Sequence, residues 1–158
     1  MFRTRLRGAL LAAALALASP SFASEFRIGG HVGAVGSSTS DIGYGVNASI
    51  NPYGWIALEL DATFAPGGYF GTSPAILFYF AQYEEFRIGA GGGAGFHRFG
   101  GNGGTTHFAV NLNAQGEFNV APNVAVGLAT RHNVVFGADD IWGVFLTLGF
   151  RFEPGGGW

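Results

Sequence analysis

The sequence contains neither cysteine nor lysine, and beyond residue 23 it contains no long apolar run. An exported domain of about this size that has no disulfide must be stabilised by its own packing or by a bilayer. Because no segment beyond residue 23 approaches about 18 consecutive apolar residues, a transmembrane helix is not predicted. The arginines are few and scattered, so a basic surface for nucleic acid is not predicted either.

The N-terminus has the pattern of a secretory signal peptide. Arg3, Arg5 and Arg7 supply positive charge, and residues 9–18 form an uncharged apolar run that is too short to span a bilayer as a helix. Small residues then occupy the positions three and one before a cleavage site. A core helix of a cytosolic protein would be the alternative, but charge, length and cleavage pattern all agree with export. We therefore predict a signal peptide over residues 1–23.

Cleavage would change the charge balance of the chain. All ten acidic residues lie beyond residue 23, but only five of the eight arginines do, so the mature net charge is 5 − 10 = −5, against −2 for the precursor. The mature chain is therefore acidic, which also disfavours nucleic acid as a partner.

Apolar and polar residues alternate with a period of two along nearly the whole mature sequence, which indicates β-strands. The clearest segment sets Phe108 and Leu112 against Asn111, Asn113 and Gln115. One segment, about 75–83, is apolar on both faces, so its register cannot be predicted. The lengths are close to what a tilted strand needs to cross a bilayer, and longer than the strands of most soluble sheets. The eight predicted strands are about residues 25–35, 42–51, 55–65, 75–83, 86–99, 107–118, 123–136 and 142–152.

The connections between these segments alternate in length. Short turns are predicted at residues 52–54, 83–85 and 121–123. Longer connections are predicted at residues 36–41, 66–74 and 100–106, with an intermediate one at 137–141. Short turns at one end and longer loops at the other are typical of outer-membrane barrels. The pattern predicts that both chain termini face the periplasm.

Aromatic residues near strand ends, and charge on the face opposite the apolar one, favour a lipid-facing barrel. A soluble carrier of the lipocalin type would point its apolar face inward, whereas here at least five strands pair an apolar face with Arg, Glu, Asp, Asn or Gln. We predict an all-β, eight-stranded, antiparallel up-and-down transmembrane barrel over residues 24–152, followed by a tail at 153–158. Aromatic rings at the two membrane interfaces form the girdles of such barrels. The predicted girdle residues are Phe26, Trp55, Phe64, Phe86, Phe96, Phe99, Phe108, Phe118, Phe136, Trp142, Phe150 and Phe152.

The last strand has apolar residues at every second position and ends on an aromatic: Leu146, Leu148, Phe150 and Phe152. This pattern resembles the C-terminal signature of the OmpA-like and OmpX-like eight-stranded outer-membrane barrels. The resemblance implies export, insertion by the outer-membrane assembly machinery with periplasmic chaperones, and residence in the outer membrane of a Gram-negative bacterium. It carries no catalytic residue. We expect contact with outer-membrane lipid and lipopolysaccharide, and a monomer. The tail at 153–158 departs from the family pattern, in which the chain usually stops at the terminal aromatic.

The inward face of the predicted barrel collects four cations and three anions. Eight-stranded barrels are just wide enough for side chains to fill, and buried charges need partners. We therefore predict a structural ionic network that seals the lumen, with a narrow gated pathway as the alternative, because inward glycines leave space beside several strands. The predicted members are Arg27, Glu59, Asp61, Arg87, Glu117, Arg131 and Arg151.

Signals for catalysis or for a cofactor are weak. The four histidines, His31, His97, His107 and His132, have no metal-site spacing, so neither a metal nor another cofactor is predicted. The glycines at 89–94 formally match a dinucleotide fingerprint, but no helix follows them. The sequence therefore predicts a non-enzymatic envelope or surface-interaction protein. A lipid-modifying enzyme using His132 with Asp139 or Asp140, and a narrow channel or hydrophobic-ligand conduit, are the alternatives.

Overall fold

The computed structural model describes residues 25–83, 85–100 and 103–152, and this part of the chain forms one closed barrel of eight antiparallel strands. Each strand pairs with the next, and β1 pairs with β8 to close the sheet. The predicted signal peptide and the tail at 153–158 lie outside the described residues. The strands are β1 Glu25–Gly36, β2 Ser40–Asn51, β3 Ile56–Ala65, β4 Tyr69–Gln82, β5 Phe86–Phe99, β6 Thr105–Ala121, β7 Val124–Val135 and β8 Ile141–Phe152.

The predicted fold class is confirmed. The register closes continuously from Phe26 opposite Phe152 to Gly36 opposite Trp142, so neither edge of the sheet is left unpaired. Among the described residues, no helix is long and apolar enough to cross a membrane.

One predicted boundary is wrong, because β4 begins at Tyr69 rather than near residue 75. The predicted loop over 66–74 contains two prolines and three glycines, yet only residues 66–68 connect the strands. Gly67 and Gly68 both have positive φ, which allows a tight reversal that other residues rarely adopt. Pro74 lies within the strand opposite Leu60, on the outward face.

The two ends of the barrel differ less in loop length than predicted, because the loop after β3 is short. We call the end that carries Glu25 and Phe152 the terminal rim; its connections are residues 52–55, 83–85 and 122–123. We call the opposite end the loop rim; its connections are residues 37–39, 66–68, 100–104 and 136–140. The loop-rim connections at 100–104 and 136–140 have five residues each, whereas the longest connection at the terminal rim has four.

The face of each side chain follows sequence parity along the strands, with odd-numbered residues pointing inward, except beyond the register shifts near the ends of β4 and β6. This parity settles the register of β4, where Leu77 and Tyr79 are buried in the lumen and Ile76 and Phe78 point outward. Leu77 and Tyr79 pack with Ala57 on β3, which explains why β4 is apolar on both faces.

The inward face of β5 is lined by glycines because β4 approaches it closely. A Cβ at Gly93 would lie 1.9 Å from the carbonyl oxygen of Pro74, and one at Gly95 would lie 1.9 Å from that of Thr72. No side chain can be accommodated at these distances, so glycine is required for this close pairing. The predicted space beside β5 is therefore taken up largely by the backbone of β4.

Candidate functional site

Five charged side chains meet inside the barrel near the terminal rim, and we call them the rim cluster: Glu25, Arg27, Arg87, Glu117 and Arg151. Glu117 accepts hydrogen bonds from Arg27 Nη1 and from Arg87 Nε, each at 2.6 Å. Glu25 Oε1 lies 2.9 Å from Arg87 Nη2 and 3.2 Å from Arg27 Nε. Arg151 lies at the edge, with its Nε 3.5 Å from Glu25. Two carboxylates thus bridge three guanidinium groups.

A buried tyrosine supports the rim cluster from the side. The guanidinium carbon of Arg87 lies 4.5 Å from the centre of the Tyr79 ring, a cation–π distance. The Tyr79 hydroxyl accepts a hydrogen bond of 2.7 Å from Gln115 Nε2. Arg87 is therefore held both by its carboxylates and by an aromatic face.

A second group, the central cluster, lies in the middle of the lumen and consists of His31, Glu59, Asp61, Thr63 and Arg131. Arg131 forms an ion pair with Asp61 and lies 3.5 Å from Glu59. The Thr63 hydroxyl donates to Asp61 Oδ1 at 2.8 Å and accepts from Arg131 Nη1 at 3.3 Å. Nε2 of His31 lies 3.0 Å from the same hydroxyl. All five side chains are buried.

An apolar layer, which we call the cap, lies across the lumen on the loop-rim side of the central cluster. Phe145 is 2% exposed, its ring centre lies 4.8 Å from that of His31 in an edge-to-face arrangement, and the guanidinium carbon of Arg131 lies 5.3 Å from its centre. The cap therefore contacts the central cluster directly. The cap residues are Val35, Ala109, Val135, Ile141 and Phe145, with Ala65, Tyr69 and Phe99 packed against them.

All seven residues of the predicted network face the lumen, but they form two clusters rather than one. The rim cluster has three arginines and two glutamates, for a net charge of 3 − 2 = +1, and the central cluster has one arginine and two carboxylates, for 1 − 2 = −1 with His31 neutral. Glu25, which shares the inward parity of Arg27, was not among the predicted members. With Glu25 included, the charges of the two clusters cancel.

The contacts of Thr63 invite comparison with a nucleophile–base–acid relay. Thr63 lies against Nε2 of His31, and Nδ1 of His31 lies 3.3 Å from Asp61. In a hydrolase the hydroxyl proton would be directed to the histidine, whereas here it is donated to Asp61. The adjoining cavity of about 10 Å³ has room for a water molecule only. The arrangement leaves no space for an acyl substrate.

The other histidines are separate from one another. His97 Nδ1 bonds the Tyr69 hydroxyl at 2.8 Å, and His107 Nδ1 bonds the carbonyl oxygen of Phe136 at 3.1 Å. His132 lies 3.5 Å from Asp140, and both side chains are half exposed. Within the described ranges, no group of three or more His, Asp or Glu residues could hold a metal ion.

The outward face carries two belts of aromatic side chains at a constant spacing. Each of four strands carries two outward-facing rings, one near each rim, and the two rings are ten residues apart in the sequence. Ten strand residues span about 33 Å, or about 25 Å along the barrel axis at the usual tilt, which is the height of the apolar band of an outer-membrane barrel. The exposed pairs are Phe70 and Phe80, Phe86 and Phe96, Phe108 and Phe118, and Trp142 and Phe152.

Some neighbouring rings within each belt contact one another. Near the loop rim, the ring centres of Phe64 and Phe70 are 5.1 Å apart, and near the terminal rim those of Phe26 and Phe152 are 6.2 Å apart. Phe99, predicted as a girdle residue, instead faces the lumen and packs on the cap, because its odd number places it on the inner face of β5. The outward Phe80, by contrast, was not predicted as a girdle residue.

The residues of the predicted assembly signal, Leu146, Leu148, Phe150 and Phe152, all point outward from β8. Their role as a signal stays a prediction. In the structure these four side chains form part of the apolar outer surface, next to the β1–β8 pairing that closes the barrel.

Comparisons with solved structures agree with this architecture. The N-terminal barrel domain of Pseudomonas aeruginosa OprF is similar with a TM-score of 0.65 and 13% identity, over 80% of this chain and 97% of that one. The fold is that of the eight-stranded outer-membrane β-barrels. Among these barrels, P. aeruginosa OprG is similar with a TM-score of 0.63 and 11% identity, over 84% and 98% of the two chains. Neisserial surface protein A is similar with a TM-score of 0.58 and 14% identity, over 84% and 97%.

Sequence comparisons add no assignment to this structural likeness. No family model matches the chain, and no curated protein sequence matches it significantly. At these identities the likeness shows the barrel fold alone.

Proposed function

We propose that the protein is a non-enzymatic integral barrel of the bacterial outer membrane, with a sealed lumen and a role in envelope structure or surface interaction. The observation that carries the proposal is the inverted distribution of polarity. The lumen holds ion pairs, whereas the outer face carries an apolar band bounded by two aromatic belts about 25 Å apart. Lipid is the environment that suits such an outer face.

The seal rests on three successive layers: the rim cluster, the central cluster and the cap. The two small cavities inside the lumen measure about 10 and 20 Å³, which is the size of one or two water molecules. The smaller lies between the central cluster and the cap, and the larger lies between Glu59 and Glu117. In the positions that they occupy, the side chains of these three layers close the lumen to ions.

The proposal includes an orientation and a set of partners. The terminal rim would face the periplasm and the loop rim the exterior, supported by the two longer connections at the loop rim. Lipid and lipopolysaccharide would cover the belts, and the assembly machinery and periplasmic chaperones would act during insertion. The protein would be a monomer, since each of its strands is already paired on both sides.

The cheapest test combines heat-modifiable gel migration with conductance. The folded protein is expected to require detergent or lipid for solubility, to migrate faster before boiling than after it, and to give no steady conductance in planar bilayers. Protease resistance of the same preparation would establish that the tested protein is folded and inserted. Stable channels from protease-resistant protein would overturn the seal, and a chain that stays soluble without detergent would overturn the membrane assignment.

A further inference from the structure

The loop rim contains a cavity that the seal does not account for. Its volume is about 150 Å³, and it lies on the outer side of the cap, beside the β1–β2 hairpin. A cavity of about this volume with apolar walls can hold one benzene ring. The lining residues are Val35, Gly36, Ser37, Thr39, Asp41, Ala65, Tyr69, Phe99 and Ile141.

The floor of this mouth cavity is apolar and aromatic. Val35 and Ile141 are buried members of the cap, and the rings of Tyr69 and Phe99 lie with centres 5.7 Å apart at an angle of 52°. The Tyr69 hydroxyl is held by His97 at 2.8 Å, which fixes the ring in place. Two tilted aromatic faces next to an aliphatic wall form a preorganised surface for a ring or for an alkylammonium group.

The edge of the mouth cavity carries a single charge, which is negative. Asp41 lines it and makes no ion pair with any described residue. The hairpin that positions Asp41 is held by a hydrogen bond of 3.0 Å from Trp142 Nε1 to the carbonyl oxygen of Ser37. Arg98, on the neighbouring β5, points outward and does not line the cavity.

We propose that the mouth cavity binds a small aromatic or aliphatic ammonium ion. The apolar body would lie on Tyr69, Phe99 and Ile141, and the ammonium group would lie at the opening beside Asp41. The carboxylate favours a cation over a neutral or anionic ligand of the same shape, because the ammonium group lies beside it. This site lies outside the sealed part of the lumen, so binding requires no passage through the barrel.

Benzylammonium is a suitable probe, because it combines one ring with one ammonium group, and benzyl alcohol is its neutral counterpart. Both would be titrated into the methyl-labelled protein in lipid nanodiscs, with empty nanodiscs as the control for partition into lipid. We expect saturable shifts of the Val35 and Ile141 methyl signals, and a dissociation constant about three- to fivefold lower for benzylammonium than for benzyl alcohol.

Asp41→Asn should remove this preference, so that both probes bind equally. Asp139→Asn is the matched control, because it removes one carboxylate from the same rim at a position that does not line the cavity. Ala65→Leu should fill the cavity and weaken the binding of both probes, with gel migration used to check that this variant folds. The absence of saturable shifts, equal affinity of the unmodified protein for both probes, or equal effects of the two aspartate variants would overturn the proposal. None of these outcomes bears on the conductance that tests the seal.

Discussion

Arg27 on β1 binds Glu117 on β6 directly across the lumen, with Nη1 2.6 Å from both carboxylate oxygens. The two strands are not neighbours in the sheet, so this contact connects walls that the backbone ladder does not join. Both side chains are less than a tenth exposed. A charge pair buried to this extent is costly to break, whatever its net contribution compared with apolar packing.

Glu117→Gln should therefore be strongly destabilising. The substitution leaves Arg27 and Arg87 with Glu25 as their remaining carboxylate partner, and removing one member of a buried pair costs about 3–5 kcal/mol. Urea unfolding of the protein in lipid vesicles would measure the change. Glu85→Gln is the control, since this exposed turn carboxylate should contribute less than about 0.5 kcal/mol. Equal stability of the two variants would contradict the role given to the rim cluster.

Phe145→Ala should open a cavity in the cap. Phe145 is almost fully buried and touches both His31 and Arg131, so the expected loss in free energy of unfolding is about 3–5 kcal/mol. Phe145→Leu keeps most of the volume and should cost clearly less. The same vesicle unfolding experiment compares the two. Equal losses for alanine and leucine would show that close packing around Phe145 does not stabilise the cap.

Gly93→Ala tests the close approach of β4 to β5, and Gly116→Ala on β6 is its control. A Cβ at Gly93 would lie 1.9 Å from the Pro74 carbonyl oxygen, whereas one at Gly116 meets nothing closer than the Phe86 ring at 3.8 Å. We expect Gly93→Ala to reduce folding yield and stability, and Gly116→Ala to be neutral or slightly stabilising, because alanine restricts the unfolded chain. Folding yield can be followed by gel migration. Equal tolerance of both changes would show that the sheet relaxes at Gly93.

Parity and spacing were sufficient to predict most of the barrel. The clean alternation around Leu112 fixes which face of β6 points inward, and the same reasoning places Arg27 and Glu117 in one lumen. The error at β4 has a local cause, since Gly67, Gly68 and Pro74 indicate a loop by composition. Pairing with β3 and a tight turn override that preference.

The division of the lumen into two clusters could not be predicted from the sequence. Parity tells which residues point inward, but it does not give the stagger between strands, and the stagger determines which charges share a level. Arg131 meets Asp61 rather than Glu117 for this reason. The place of Phe99 in the cap follows parity alone and could have been predicted, whereas the cavity beside Asp41 depends on the shape of the hairpin.

The absence of cysteine allows the orientation to be tested directly. Asp139→Cys places a thiol at the loop rim, and Asn123→Cys places one at the terminal rim; both positions are exposed. In intact cells, a membrane-impermeant maleimide should label the first variant and not the second, whereas both should be labelled after the outer membrane is permeabilised. Labelling of Asn123→Cys alone in intact cells would reverse the proposed orientation.

Leu112→Arg provides the sharpest test of the lipid-facing surface. Leu112 is 63% exposed and lies between the two belts on β6, so its substitution in a soluble barrel would change stability little. In a bilayer, an arginine near the midplane costs about 2–4 kcal/mol, and one near the interface costs about 0–1 kcal/mol. Ile42→Arg is the matched control, because Ile42 is 69% exposed but lies beyond the belt, near the loop rim. Unfolding in vesicles should separate the two variants by at least about 1 kcal/mol, and equal, small losses would mean that lipid does not cover Leu112.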